Sequence, residues 1–311
     1  LYRGRMRHSI DLLVLVLVAG CAARRTLPPV ALPEIIRELP GPAATPTAPA
    51  APSPSPKRRV GIDVITGETH GFGSGTQGGA GGRRLLVTDT TEAGLRRAIE
   101  DANRGGRAII EFSVAAVIRI LRPLPRLTAP WVTIDGNGTT IDGTGMIQSA
   151  ALLDIRTHDV IVRNLRLRNG YDNLRIQGAE ASSILVSHVS STGARDDGIS
   201  ISGGAHDVTV EWSFLAGNTR SIFCKYLGTT RLSIHHTWIQ KGWIRNPLFQ
   251  GAMLADVRNV IVEDWAEWGV RFQDGASGNV VGSLFVLSAA ARAAGGKADS
   301  ALRLRDSGPV Y

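Results

Sequence analysis

The chain has 311 residues, with glycine at 36, aromatics at only 5% and a formal charge of +8. Residues 1–60 hold nine basic and three acidic side chains, so +6 lies there and +2 remains for the rest. A groove for phosphates concentrates Lys and Arg in the folded domain, so this balance excludes nucleic acid as an expected partner. Abundant glycine and few aromatics also argue for a turn-rich β fold over a helical bundle.

Arg3, Arg5 and Arg7 precede an apolar run from Leu12 that closes on Ala19, Gly20 and Cys21. The run is too short to cross a bilayer and reads as a secretory leader over 1–21. Val18-Ala19-Gly20-Cys21 resembles the bacterial lipoprotein processing site, which implies cleavage before Cys21 and a lipid on its thiol. The expected location is the bacterial envelope, lipid-anchored at the outer membrane or cell surface, or outside the cell. Ten of the fifteen prolines then fall between Ala22 and Pro56. Such composition solvates its backbone instead of packing, so 22–59 is an expected tether and 60–311 the folded domain. The opening Leu1 points to Met6 as the natural start, and the far end is expected to be clipped. Cys224 is left unpaired, with an expected role as a small apolar filler.

Gly71 to Gly82 is glycine-rich but lacks the Gly-Lys-Ser/Thr ending of a phosphate loop. Thr91 offers an N-cap, and Leu95, Ala98 and Ile99 have helical spacing, which predicts one short amphipathic helix. Ala108 to Phe112, Val117 to Leu121 and Trp131 to Ile134 read as the first strands. Apolar triplets then recur at Val160-Ile161-Val162, Ile184-Leu185-Val186, Val208-Thr209-Val210, Leu232-Ser233-Ile234 and Val260-Ile261-Val262. Their starts lie 24, 24, 24 and 28 residues apart. A repeat of that length marks coils that bury their apolar face only by stacking on one another. A second series, Leu174 to Ile176 and Ile199 to Ile201, interleaves at 25. The expected fold is all-β, a right-handed parallel β-helix whose first coil is capped by the short N-terminal helix. Ala289 to Gly296 fits either a loop or a short helix.

Several pieces in order carry a more specific signal: GFGSGTQGG, VTIDGNGTTIDGTG, VIVRNLRLRNG, DVTVEWSF, SIHHTW and Arg245-Asn246-Pro247. From Gly71 to about Phe285 the chain resembles the pectate lyase family of parallel β-helix enzymes. The resemblance implies a carbon–oxygen lyase that cleaves polygalacturonate by β-elimination: a base takes the C5 hydrogen beside the sugar carboxylate, and the oxygen at C4 departs. Ca2+ is the implied cofactor, because positive charge at the uronate carboxylate stabilises the charge that develops, and a hard cation accepts several oxygen ligands. Asp172, Asp196 and Asp197 match the family's acidic ligand positions. At a 24-residue coil Asp172 and Asp196 should stack, about 4.8 Å apart. Arg245 matches the arginine assigned as base, although a guanidinium holds its proton. It therefore needs strongly cationic surroundings, or else acts on the enolate while water or hydroxide takes the proton. Lys225 matches a lysine that contacts a substrate carboxylate. His188, His235 and His236 are expected to be structural.

The sequence departs from the family at Ser187, Ser200, Thr237 and Gln250, the last replacing a second arginine. Two other readings remain open. Asp196-Asp197-Gly198-Ile199 looks like the paired aspartates of polygalacturonase-type hydrolases, although that family's flanking motifs are missing. A non-catalytic polysaccharide-binding β-helix would also tolerate the departures. In each case the expected partner is an acidic polysaccharide, the expected state a monomer, and the only expected membrane contact a lipid on Cys21.

Overall fold

The computed structural model describes residues 70–293 and 300–311. The leader, the tether and Cys21 lie outside the described residues, as do 60–69 and 294–299.

Three parallel sheets wind along a solenoid of about eight turns: sheet A with nine strands, sheet B with eight and sheet C with seven. One coil shows the pattern. It places Ser182–Ser187 in sheet A, Ser190–Thr192 in sheet B and Asp197–Ser202 in sheet C, and the next coil repeats this from His206. Inward positions are apolar and stack in register, as in Val160, Ile184, Val208 and Leu232. Each of these four is 0 or 1% exposed, and full burial of such a side chain contributes about 1.5–3 kcal/mol.

The corners also repeat. Asn164, His188, Trp212, His236 and Asn259 all hold positive φ, between 46 and 55°, where the chain turns from sheet A to sheet B. Asparagine tolerates that region better than most residues. Here histidine and tryptophan occupy it too, and the Trp212 ring stacks on His236 at 4.3 Å.

The triplets follow from burial on both faces. Their middle residues, Ile161, Leu185, Thr209 and Ser233, point outward yet are buried, because the glycine-rich segment 71–82 lies across sheet A. Its amides are received by the outer row of hydroxyls: Phe72 N by Ser233 Oγ at 3.1 Å, Gly73 N by Thr209 Oγ1 and Gly79 N by Thr133 Oγ1, both at 2.9 Å. Glycine is required for the close approach, since a Cβ on Gly79 would sit 1.9 Å from the Ala108 carbonyl oxygen. The strap, and not a phosphate loop, accounts for this run.

The fifth triplet behaves differently. Ile261 and Val262 lie in sheet B, aligned with Trp238 and Ile239, while the sheet A strand of that coil is Leu254–Arg258. The interval of 28 therefore marks a change of sheet. The predicted helix forms at Glu92–Ala102, with the Thr91 hydroxyl accepting from Gly94 N, and buries Leu95, Ile99 and Ala102 at the first coil. Strand Arg83–Val87 precedes it and pairs with Ala108–Phe112. Ala289–Ala293 is a short helix. Cys224 is a free, fully buried thiol aligned with Ile201 and Phe249, in the filler role expected of it.

Candidate functional site

One row of sheet C gathers the charged residues. Asp172 opens the strand Asp172–Gln177, and Asp197 opens Asp197–Ser202 one coil on; the Asp197 amide donates to Asp172 Oδ1 at 3.2 Å. Arg220 is the register partner of Asp197, and Ile244 bridges Arg220 on the following coil, which leaves Arg245 beside the row. The coil here is 25 residues long, not 24. Asp197 therefore stands over Asp172, whereas Asp196 stands over Tyr171, to whose carbonyl its amide donates at 2.7 Å. Stacking of Asp172 on Asp196 is thus corrected by one residue. Asp196 still joins the group: one carboxylate oxygen from each of Asp172, Asp196 and Asp197 lies within 4.8 Å of the others.

Each carboxylate has its own arginine. Arg175 Nε donates to Asp172 Oδ2 at 2.8 Å, and its Nη2 lies 2.6 Å from the same oxygen. Arg220 pairs with Asp196. Arg245 Nη1 donates to Asp197 Oδ1 at 3.1 Å, and its guanidinium carbon lies 4.1 Å from the centre of the Phe223 ring. Arg245 holds φ at +61°, in the left-handed region. Burial pushes the Asp197 carboxyl up to about 7; Asp172 adds to the rise, while Arg245 opposes it.

The structure thus brings Asp172, Asp196, Asp197 and Arg245 together, and it sets Lys225 at the other end of the strand from Arg220. Lys225 ends the strand that Arg220 begins, its ammonium 5.0 Å from the centre of the Tyr226 ring. Its register partners are Ser202 and Gln250. Sequence reasoning missed Arg175 and Arg220. The signal was present, because Asp172, Asp197, Arg220 and Arg245 succeed one another at 25, 23 and 25 residues.

The donor set fits a hard divalent cation: carboxylate oxygens only, three of them close enough to share one ion. The three guanidinium groups are already in contact with those oxygens. A cavity of about 730 Å³ lies elsewhere, at the corner between sheets A and B, lined by Asn164, His188 and Trp212 among others. Its carboxylates Glu111 and Asp135 are tied to Arg84 and Arg163. We place the candidate chemistry at the sheet C row, where carboxylates crowd one another.

His235 and His236 meet, although successive residues within a strand face opposite ways. Their Nδ1 atoms are 2.9 Å apart, because His236 occupies the corner and not the strand. Both serve the scaffold: His235 Nε2 reaches the His70 carbonyl at 2.7 Å, and His236 stacks on Trp212.

Fold and acidic row together define the class, a parallel β-helix protein with a clustered carboxylate site. No protein-family profile matches the chain. A protein of Emericella nidulans named probable pectate lyase C is 32% identical over 230 residues, covering 70% of this chain and 51% of its own length. A protein of the same name from Aspergillus terreus is 31% identical over 234 residues, covering 70% and 52%. The chain is therefore a homologue of the pectate lyases, and it spans about half the length of the curated relatives it matches. A pectate lyase of Bacillus sp. N165, solved in complex with trigalacturonate, has the same fold at TM-score 0.57 and 16% identity, covering 78% of this chain and 87% of its own. So has Jun a 1, the major allergen of cedar pollen, at TM-score 0.56 and 16% identity, covering 78% and 81%.

Proposed function

We propose that this chain is a polysaccharide lyase that cleaves polygalacturonate by calcium-assisted β-elimination. The observation that carries the reading is the meeting of three aspartate oxygens within 4.8 Å with Arg245 hydrogen-bonded to one of them. Asp172, Asp196 and Asp197 would hold Ca2+, which when bound supplies positive charge at the uronate carboxylate and so favours loss of the C5 hydrogen. Arg245 carries a fixed cation beside the row. A guanidinium keeps its proton, so its part is to stabilise the charge that develops on the sugar, with water or hydroxide as proton acceptor. Phe223, under the Arg245 guanidinium, holds it in place by a cation–π contact. Lys225, further along the same face of sheet C, is suited to a carboxylate of a neighbouring sugar.

The hydrolase reading gains nothing from this geometry. Inverting hydrolases keep their two carboxyl groups about 6.5–9.5 Å apart and retaining ones about 5–5.5 Å, whereas these three share one cluster and are each tied to an arginine. The test is ultraviolet absorbance of the unsaturated product from polygalacturonate. The domain should form it with calcium and not with chelator, and Arg245→Ala should lower the rate at least about 100-fold, as loss of one preorganised donor does. Full activity in chelator, or in Arg245→Ala, overturns the assignment.

The leader, the tether over 22–59 and the domain over 60–311 complete the reading as an exported enzyme lipid-anchored at Cys21 in a bacterial envelope. The support is the Val18-Ala19-Gly20-Cys21 run. Labelled lipid should enter the full chain and not its Cys21→Ala variant.

A further inference from the structure

The charges in the sheet C row cancel. With all three carboxyls ionised, Asp172, Asp196 and Asp197 supply three negative charges, and Arg175, Arg220 and Arg245 supply three positive ones, in contact pair by pair. A cluster of bare carboxylates would attract a divalent cation strongly; one already neutralised by guanidinium groups does not, because each arginine competes for the same oxygens and repels the incoming charge.

The three arginines are not held equally. Arg175 grips Asp172 Oδ2 with two nitrogens. Arg245 holds Asp197 Oδ1 with one hydrogen bond of 3.1 Å, while its guanidinium also lies over the Phe223 ring. Of these two, Arg245 is the counter-ion that exchanges at less cost. Its side chain is 19% exposed, close to the 21% of Arg175, so the difference between the two lies in their hydrogen bonding.

We propose that Arg245 is a resident counter-ion of Asp197 which a divalent cation displaces, so that loading the acidic row releases the guanidinium toward the substrate. This rests on the calcium reading above and deepens it. Before loading, Asp197 holds the arginine down. After loading, the released guanidinium lacks a carboxylate partner, and a uronate carboxylate supplies one. Cation and uronate then tighten each other's binding by the same factor, as linkage requires.

The test is direct calcium binding by titration calorimetry, without substrate, on the wild-type chain and on Arg245→Ala. Removal of the competitor should tighten calcium about tenfold or more, within the range usual for coupled sites. Arg84→Ala, which removes the same charge from an exposed pair with Glu111 on sheet A, should change affinity less than about twofold, since exposed charges further than a Debye length away are screened. Thermal melts of both variants establish that they are folded. Unchanged or weaker binding by Arg245→Ala, or equal tightening by Arg84→Ala, overturns the exchange while leaving calcium as cofactor. Absence of calcium binding in every variant overturns both.

Discussion

Two stacks of polar side chains ride on one solenoid. On sheet C the register sets Asp197 over Asp172, like charge on like, with Arg220 following. On sheet A it sets Arg163, Ser187, Glu211, His235 and Arg258 in a row. There the neighbours complement one another: Ser187 Oγ donates to Glu211 Oε1 at 2.9 Å, and His235 holds the strap through the His70 carbonyl. Coil stacking itself is indifferent to what it stacks. Complementary neighbours make a strut, and like neighbours make a site whose repulsion must be offset by counter-ions.

The sharpest way to break the comparison is to remove the charge from one buried carboxylate in each stack. Asp197→Asn should abolish lyase activity by at least about 100-fold and yet stabilise the fold at alkaline pH. The Asp197 carboxyl is raised from 3.8 to about 7. A raised folded value means that the stability the group contributes is complete below 3.8 and lost as pH climbs through about 7. The loss is at most about 4 kcal/mol at 1.36 kcal/mol per pH unit. Melting of the variant in chelator should match wild type near pH 3.5 and exceed it at pH 8. A variant less stable than wild type at pH 8 would mean that the ionised Asp197 carboxylate stabilises the fold.

The strap provides the next largest effect. Gly79→Ala puts a methyl 1.9 Å from the Ala108 carbonyl oxygen, whereas Gly75→Ala meets nothing within 4 Å. Overpacking of that kind costs about 1–3 kcal/mol, and a free surface change stays within about 0.5 kcal/mol. Denaturant unfolding of the pair should separate them by that margin.

Glu211→Gln is the matching change on sheet A. Burial is the main cause that raises the Glu211 carboxyl above its ordinary 4.5, with the Ser187 hydrogen bond opposing. Wild-type stability should therefore fall as pH rises beyond 4.5, and the variant should flatten that slope. Unlike Asp197→Asn, it should keep lyase activity within about threefold, because Glu211 lies on a different sheet from the acidic row.

The solenoid was legible because β-branched triplets buried on both faces leave a periodic trace, the capping helix because Thr91 and the spacing of Leu95, Ala98 and Ile99 mark it, and the acidic cluster only through the family resemblance. Sheet B left none. Its strands, such as Arg166–Arg168 and Ser190–Thr192, are three residues long with a single inward side chain, too short for any alternation to show. Register to one residue was also out of reach, because coils of 23 and 25 average to 24. That single-residue error set Asp196 over Asp172 in place of Asp197. It also concealed Arg220, which only the true register aligns with the row. The glycine strap stayed unread because its partners, Thr133, Thr209 and Ser233, lie 54, 136 and 161 residues away.

Lys225 gives the smallest expected effect and the finest test of what the row contains. It shares a strand with Arg220, but five residues separate them, about 16 Å of extended chain at 3.3 Å per residue. Its row is Gln177, Ser202, Lys225 and Gln250, polar without clustered charge. Phe223, which carries the Arg245 guanidinium, is only two residues away; the expected partner of the Lys225 ammonium is the uronate carboxylate of a sugar next to the one at Arg245, and an exposed charge pair contributes about 0.2–1 kcal/mol. Lys225→Ala should therefore raise KM for polygalacturonate by up to about fivefold and leave kcat unchanged, since contacts remote from the reacting sugar bind ground state and transition state alike. A fall in kcat comparable to that of Arg245→Ala would mean that the reactive centre extends along the strand, and that the division between the Asp197 row and the Lys225 row is drawn in the wrong place.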